Sequence, residues 1–171
     1  MNKLYLDVSH EMDEEIDFPF YRVDIVINGQ RLIDLAREVE LPFAEAEGRL
    51  VHAGEYQNLP PRAVFLPSRS WLPENGEEIT ELLICGFCGT WGCWPLEARI
   101  TVEDERVVWS DFCQPHRSKS KPPVWRYDRL GPFVFDRRQY EAELGKMLAD
   151  ETYQEAKRRW EEWLTNVRKI R

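Results

Sequence analysis

Regular alternation of hydrophobic and polar residues is clearest near the middle of the chain. Hydrophobic side chains occupy every second position of Leu96–Val102, and this period of two predicts a half-buried β-strand. The segment Ile79–Ile84, which ends in the apolar run Leu82-Leu83-Ile84, precedes that strand, and Val107–Phe112 follows after a charged turn at Glu103–Arg106. Three consecutive strands of this kind predict an antiparallel meander over Ile79–Phe112.

The N-terminal part of the chain shows both strand and helix periodicity. Leu4–Val8 and Tyr21–Ile27 alternate as strands do, and Asn28-Gly29 supplies a turn after the second of them. Leucine, alanine and valine then recur at spacings of three and four, which predicts a short amphipathic helix over Gln30–Glu40. We expect this helix to stop before Pro42, because proline removes a backbone donor, and Phe43–Gly48 could add one more helical turn.

The C-terminal part predicts a short strand followed by a long helix. Phe133–Phe135 is apolar, and Asp136 is a good helix N-cap because its carboxylate can accept from free amides of the first turn. Apolar residues then recur at helical spacing from Tyr140 to Val167, with a break near Asp150. We therefore predict a long C-terminal helix that packs against the sheet.

These elements together predict the fold class and the domain organisation. A chain of 171 residues has the size of one domain, and we interpret residues 1–171 as a single α+β domain. Its architecture is an antiparallel β-sheet packed by the short helix and the long C-terminal helix. The proline-rich segment Asn58–Gly76 is interpreted as a connection that contains a short strand at Ala63–Leu66.

The charge balance narrows the classes of partner. The formal net charge is -8, whereas broad binding to nucleic acids or anionic membranes requires clustered lysine and arginine. The segment Gln114–Arg129 is locally basic, and we interpret it as a solvated loop. No apolar run approaches the ~18 residues of a membrane helix, and the N-terminal hydrophobic stretch is too short for a signal peptide. We therefore expect a cytoplasmic protein whose thiols stay reduced.

Three of the four cysteines lie in one glycine-rich run between the first two strands of the meander. Cys85 and Cys88 have the C-x2-C spacing of zinc ligands, Cys93 follows, and Cys113 or His116 could complete a tetrahedral site. The sequence therefore suggests zinc as a cofactor. Two other interpretations stay open, namely small buried thiols in a tightly turned hairpin and a disulfide or redox pair.

Three further residues near the cysteines are candidates for binding. Trp94 ends the cysteine run, and His116 and Arg117 follow Pro115 at the exit of the third meander strand, where they could present a site for an anion or a hydrogen-bonding group. The alternative is that they pin the loop to the sheet. A nucleophilic pair of Cys113 and His116 is conceivable, but three residues of spacing do not place the two side chains in hydrogen-bond reach. No residue is assigned a catalytic role.

The same motifs resemble those of a known group of bacterial proteins. They include a Cys-Gly-x-x-Gly-Cys-Trp-Pro-Leu hairpin and a Gln-Pro-His-Arg loop. The resemblance covers roughly Tyr21–Leu144, and no activity is established for the group. It implies a common site at Cys88, Cys93, Trp94, His116 and Arg117, and it leaves Cys113 outside the shared pattern. The matching segments are Asn28-Gly29, Ala53–Tyr56, Cys88–Leu96, Trp109, Phe112–Arg117, Leu130–Phe133, Phe135-Asp136 and Gln139–Glu141.

The sequence favours a binding or interaction protein over an enzyme. An acidic, aromatic-rich bacterial domain of this size suits an immunity or inhibitor role, in which negative charge steers a basic protein partner. The first alternative is a zinc- or thiol-dependent enzyme that uses the Cys85–Cys113 region with His116. The second is a structural zinc module, which differs from the favoured hypothesis in what holds the hairpin together.

Overall fold

Two antiparallel sheets are present in the computed structural model, which describes residues 1–13, 18–60 and 71–169. The first sheet has the order β1-β2-β3, with β1 at Leu4–Asp13, β2 at Phe18–Ile27 and β3 at Gln30–Arg31. Asn28 and Gly29 form the turn between β2 and β3 with positive φ angles of 53° and 85°. Asparagine and glycine adopt this left-handed conformation at the lowest cost, so the predicted turn is confirmed.

Helix α1 follows β3 directly and spans Leu32–Ala46. The prediction that it stops before Pro42 is wrong, because the helix continues through the proline for another turn. A proline inside a helix removes one backbone hydrogen bond. The last turn is held by burial of Ala44 and by the ring of Phe43, which stacks on Trp125 with 6.5 Å between centroids.

The second sheet has five strands in the order β4-β5-β6-β7-β8. The strands are β4 (Tyr56–Asn58), β5 (Glu77–Cys85), β6 (Leu96–Val102), β7 (Arg106–Cys113) and β8 (Phe133–Asp136). All neighbours pair antiparallel, so the predicted meander is present as β5-β6-β7 and is flanked by one further strand on each side. The short strand expected at residues 63–66 lies outside the described residues.

The two sheets are joined by backbone hydrogen bonds and by a shared core. The amide of Val23 in β2 donates to the carbonyl of Leu59 just after β4 at 2.8 Å, and that of Asn2 donates to Val134 in β8 at 2.7 Å. One hydrophobic cluster contains buried residues from both sheets and from the helices. Its largest fully buried side chains are Trp71, Trp109, Tyr140, Phe135, Leu4, Ile25, Ile27, Leu32, Leu59, Leu82, Leu83 and Leu96.

The long C-terminal helical segment is interrupted at Asp150, where the sequence predicted a break. Helix α2 spans Arg137–Ala149 and helix α3 spans Glu151–Lys169. Asp136 caps α2 through a 2.9 Å hydrogen bond from the amide of Gln139, as predicted. Asp150 has an extended backbone, and its carboxylate accepts from the amide of Thr152 at 2.8 Å, so the same residue ends one helix and begins the next.

The α+β fold class is confirmed by this arrangement. The indole of Trp109 in β7 lies edge-on to Trp71 and donates to the hydroxyl of Tyr140 in α2, which in turn donates to the carbonyl of Trp71. Helix α2 is therefore fixed to the five-stranded sheet by a buried polar chain as well as by apolar packing. None of the helices within residues 1–13, 18–60 and 71–169 is both long enough and apolar enough to cross a membrane.

Candidate metal centre and adjoining aromatic cluster

The cysteine loop, residues 86–95, connects β5 to β6. Its first turn is closed by the amide of Gly89, which donates to the carbonyl of Cys85 at 2.9 Å. Gly89 and Gly92 both have positive φ angles, of 64° and 69°. Because glycine adopts this conformation readily, the chain can turn back twice within a few residues. The two turns return Cys88 and Cys93 to the end of β5.

Close backbone packing also fixes the start of the cysteine loop. The amide of Gly86 donates to the carbonyl of Glu55 at 2.9 Å. A Cβ atom at Gly86 would lie 2.9 Å from the carbonyl carbon of Glu55, which is closer than side chains tolerate. Glycine is therefore required where the loop leaves the sheet.

The loop brings three thiols together. The Sγ atoms of Cys85, Cys88 and Cys93 all lie within 4.8 Å of one another. Cys85 is only 4% exposed, whereas Cys88 and Cys93 are exposed. In a tetrahedral zinc site with Zn–S distances of about 2.3 Å, sulfur atoms are about 3.8 Å apart. A small contraction of the loop would therefore let the three thiols hold a metal ion.

The thiols influence one another electrostatically. Hydrogen bonds from the side chain and backbone of Thr90, followed by those from Cys93 and Cys85, lower the pKa of Cys88 to about 7. Hydrogen bonding to Cys88 and Cys85 raises the pKa of Cys93 to about 11. The crowded thiols thus ionise unequally, mainly because hydrogen bonds stabilise the thiolate of Cys88 and the protonated thiol of Cys93, and to a smaller extent because neighbouring thiolates repel one another. A bound cation would remove that repulsion and favour the thiolate form of all three.

Cys113 lies outside this group, although the sequence suggested it as a metal ligand. It pairs with Glu97 of β6, and its thiol donates to the Glu97 carboxylate at 3.9 Å. Glu97 in turn pairs with Glu81 of β5, so Cys113 is two strands away from the strand that carries Cys85. Two strand spacings amount to about 10 Å. Burial first, and then the charge of Glu97, raise the pKa of Cys113 to about 11.

His116 lies beside the cysteine loop, and its ring nitrogens are engaged. Its Nε2–H donates to the carbonyl of Gly92 at 2.9 Å, and its Nδ1 is 3.5 Å from the ammonium of Lys121. The imidazole also stacks on Trp94 with 6.2 Å between centroids. In this arrangement His116 supports the loop from the side and is not among the grouped ligand atoms, which are the sulfurs of Cys85, Cys88 and Cys93.

The three residues considered for binding, Trp94, His116 and Arg117, are brought together. The guanidinium of Arg117 lies 5.1 Å from the ring centre of Trp94 and 5.7 Å from that of Trp125. It also pairs with the carboxylate of Glu47 at 3.2 Å, and the two side chains are only 15% and 17% exposed. The charge of Arg117 is therefore satisfied internally, which favours the interpretation that it pins its loop.

Residues that no sequence pattern singled out complete this cluster. The indole of Trp125 donates to Glu47 at 2.5 Å, and the ring of His52 lies 5.2 Å from that of Trp94. The Nε1 atom of Trp94 is buried without a hydrogen-bond partner among the described residues. Glu47 is 70 residues from Arg117 and 78 from Trp125, so no local pattern could have revealed these contacts.

A buried carboxylate was also missed. Glu40 in α1 is fully buried and accepts hydrogen bonds from the amide of Gly54 at 2.7 Å, from the hydroxyl of Tyr127 at 2.5 Å and from that of Tyr56. Burial outweighs these hydrogen bonds and raises the pKa of Glu40. The helical spacing indicates the burial of Glu40, because this residue stands four positions after Ala36 on the apolar face of the helix.

Comparison with known proteins returns no matching family model, curated protein or solved structure. The resemblance in the Cys88–Leu96 and Gln114–Arg117 motifs stays a prediction. The function is therefore inferred from the thiol group, the charges around it and the surface that it organises.

Proposed function

We propose that the protein is a zinc-binding interaction protein without a catalytic role, in which the ion fixes the cysteine loop. The observation that carries the proposal is the mutual approach of Cys85, Cys88 and Cys93 to within 4.8 Å at the end of one strand. Thiols held in this way by two glycine turns are arranged to bind one ion. A hairpin that needed only small buried residues would have no reason to expose two of them.

The choice of zinc follows from the donor atoms. Three thiolates are soft ligands that suit zinc and copper(I), whereas magnesium and calcium require oxygen ligands. Zinc accepts a tetrahedral arrangement in which these sulfur atoms occupy three of the four positions. Zinc binding also fits a reducing cytoplasm, the compartment that we propose, because zinc needs free thiolates and has no redox chemistry of its own.

The charge of the complex supports binding over catalysis. Zinc with three thiolates carries a net charge of about -1, so the ion is a weaker Lewis acid than in the histidine-rich sites of many zinc enzymes. The competing hypothesis of a thiol enzyme is supported by the exposure of Cys88 and its lowered pKa. A nucleophile also needs a base, however, and His116 is engaged with Gly92 and Lys121.

The feature that a fixed cysteine loop would present is an aromatic side chain. Phe87 stands between Cys85 and Cys88 in the sequence, and its side chain is 89% exposed. Exposed aromatic residues on a rigid support are typical anchors of protein interfaces. We propose that this loop contacts a protein partner and that the net charge of -8 favours a basic one, as in an immunity or inhibitor complex.

The test is a zinc affinity measurement by competition with a chromophoric chelator. We expect one zinc ion per chain, and we expect Cys88→Ser and Cys93→Ser each to weaken binding at least about 100-fold. Both positions are exposed, so serine should leave the fold intact, which far-ultraviolet circular dichroism would verify. Cys113→Ser is the matched control and should bind zinc as the wild type does.

Two results would overturn the zinc proposal. The first is a wild-type protein that binds zinc more weakly than with a micromolar Kd, or does not bind it. The second is a Cys113→Ser variant that loses as much affinity as Cys88→Ser, because that result would require a different set of ligands. A preference for copper(I) over zinc in the same competition would keep the three-thiolate site and change the ion.

A further inference from the structure

We propose that the fourth coordination position of the ion is filled from outside the chain, by the thiolate of a small thiol compound. This inference rests on the proposed zinc site and extends it by naming a ligand class. Zinc in a tetrahedral site needs four ligands. Within the described ranges 1–13, 18–60 and 71–169, the group of ligand atoms around the site has three members, all of them cysteine sulfurs.

Three side chains of the same region that could donate a fourth ligand have other partners. The Nε2–H of His116 donates to the carbonyl of Gly92, and Cys113 donates its thiol to Glu97 two strands away. The carboxylate of Glu81 accepts from the amide of Gly92 at 3.2 Å. His116 and Cys113 would each have to break a hydrogen bond before the ring nitrogen or the thiol could bind the ion. The carboxylate of Glu81 is a hard oxygen ligand, which matches three thiolates less well than a fourth sulfur does.

The site is open to a ligand from solvent. Cys88 and Cys93 are exposed, and so is Phe87 beside them, whereas Cys85 alone is buried. The ion would therefore sit on the buried sulfur with the two exposed sulfurs around it. A ligand small enough to pass between the loop and the solvent can reach such an ion without any change in the fold.

Charges of both signs lie near the cysteine loop: the carboxylate of Glu81 accepts from the amide of Gly92, and an ammonium lies on the far side of His116. The ammonium of Lys121 lies 3.5 Å from the ring of His116, which is itself hydrogen-bonded to the cysteine loop. A fourth thiolate would bring the complex to a net charge of about -2, and a neighbouring ammonium would offset part of that charge. A thiolate also matches the softness of the three sulfur ligands already present. Binding exchanges the ligands as Zn–OH2 + RSH → Zn–SR + H2O + H⁺, with no change of oxidation state.

The test uses cobalt(II) in place of zinc, because cobalt has visible absorption that reports its ligands. The cobalt-loaded protein is titrated with 2-mercaptoethanol, with glutathione and, as the competing ligand class, with imidazole. Thiol binding should raise the thiolate-to-cobalt charge-transfer absorption by about one third, as the thiolate count rises from three to four. It should saturate at one thiol per chain, and imidazole should leave that band unchanged.

Three variants sharpen the test. Lys121→Met should weaken thiol binding about threefold to tenfold and cobalt binding by no more than that, because the lysine acts both on the charge of about -1 of the three-thiolate complex and on the charge that the thiol adds. Lys119→Met removes one exposed positive charge from the same loop and is the matched control. The Cys113→Ser spectrum should equal that of the wild type, since Cys113 is not the fourth ligand.

The outcomes separate this inference from the zinc proposal. If cobalt produces no charge-transfer band at all, the metal site itself is refuted. If cobalt binds with a three-thiolate spectrum that no thiol alters, or if imidazole binds in preference, the external thiolate is refuted and the metal site stands. A concentration-dependent dimer that shows a four-thiolate spectrum before any thiol is added would also refute it, because a second copy would then be the donor.

Discussion

The buried carboxylate of Glu40 gives the sharpest test of the fold around the site. Its two oxygens accept from Gly54, Tyr56 and Tyr127, and they join α1 to the start of β4 and to the loop that precedes β8. In Glu40→Gln, the single amide oxygen can still accept from both tyrosine hydroxyls. The NH2 group must then face the amide of Gly54, which donates at 2.7 Å in the wild type.

The expected cost follows from that geometry. One hydrogen bond is lost, and two donors face each other in a buried site, which costs about 1–3 kcal/mol of unfolding free energy. Glu40→Leu leaves all three donors unpaired and should cost more, about 3–6 kcal/mol. Glu38→Gln lies on the exposed face of the same helix and should change the stability by less than about 0.5 kcal/mol.

The pH dependence has a definite sign. Burial raises the pKa of Glu40 in the folded state, so its contribution is fully present below the ordinary glutamate pKa of about 4.3. That contribution is lost as the pH rises through the raised folded value. The destabilisation by Glu40→Gln should therefore be largest near pH 4 and should shrink toward neutral pH.

The assay is urea unfolding followed by tryptophan fluorescence between pH 4 and pH 8, for the wild type and the three variants. The reasoning would be refuted by a Glu40→Gln protein as stable as the Glu38→Gln control. It would also be refuted by a destabilisation that grows with pH, since that result would mean that the ionised carboxylate stabilises the fold.

Three further substitutions test separate contacts. Tyr140→Phe leaves the indole N–H of Trp109 without its acceptor and should cost about 1–3 kcal/mol in urea unfolding; an unchanged midpoint would contradict the buried polar chain. Arg117→Leu removes the cation that pairs with the half-buried carboxylate of Glu47, and it should lower the free energy of unfolding by about 2–4 kcal/mol in the same assay. An unchanged free energy of unfolding would mean that the ion pair is not formed in solution. Gly86→Ala places a Cβ atom 2.9 Å from the backbone carbonyl carbon of Glu55. Thermal unfolding of this variant should therefore begin at a lower temperature, and its zinc affinity should fall at least about tenfold. A variant that binds zinc as tightly as the wild type would show that the start of the cysteine loop is not constrained.

The parts of the fold that the sequence predicted are those governed by local pattern. The alternation in Leu96–Val102 and the turn at Asn28-Gly29 each act within a few residues, and both are present. The helix end at Pro42 was predicted incorrectly because tertiary contacts of Phe43 and Ala44 outweigh the local cost of proline. Local propensity cannot report such contacts.

The local part of the candidate site could be predicted from the sequence, and the part that depends on strand pairing could not. The C-x2-C spacing and the glycines indicated that Cys85, Cys88 and Cys93 could meet, since all three lie within one short stretch of chain. The position of Cys113 depends on how β6 pairs with β7, and that pairing contains a register shift between Glu97 and Arg99. A shift of this kind changes which residues face each other, and sequence spacing does not reveal it.

The central claim, that these three neighbouring cysteines bind a metal ion, is tested most directly by thiol alkylation mapped by mass spectrometry. The protein is treated with iodoacetamide with and without one equivalent of zinc, and each cysteine is quantified. Cys88 is exposed and its pKa is lowered to about 7, so it should react readily without zinc, whereas Cys93 is exposed but has a pKa raised to about 11 and should react more slowly. Both should become protected when zinc is bound. Cys113 should react at the same slow rate in both samples because it is half-buried and its pKa is raised to about 11. Equal alkylation of Cys88 and Cys93 with and without zinc would contradict the metal centre.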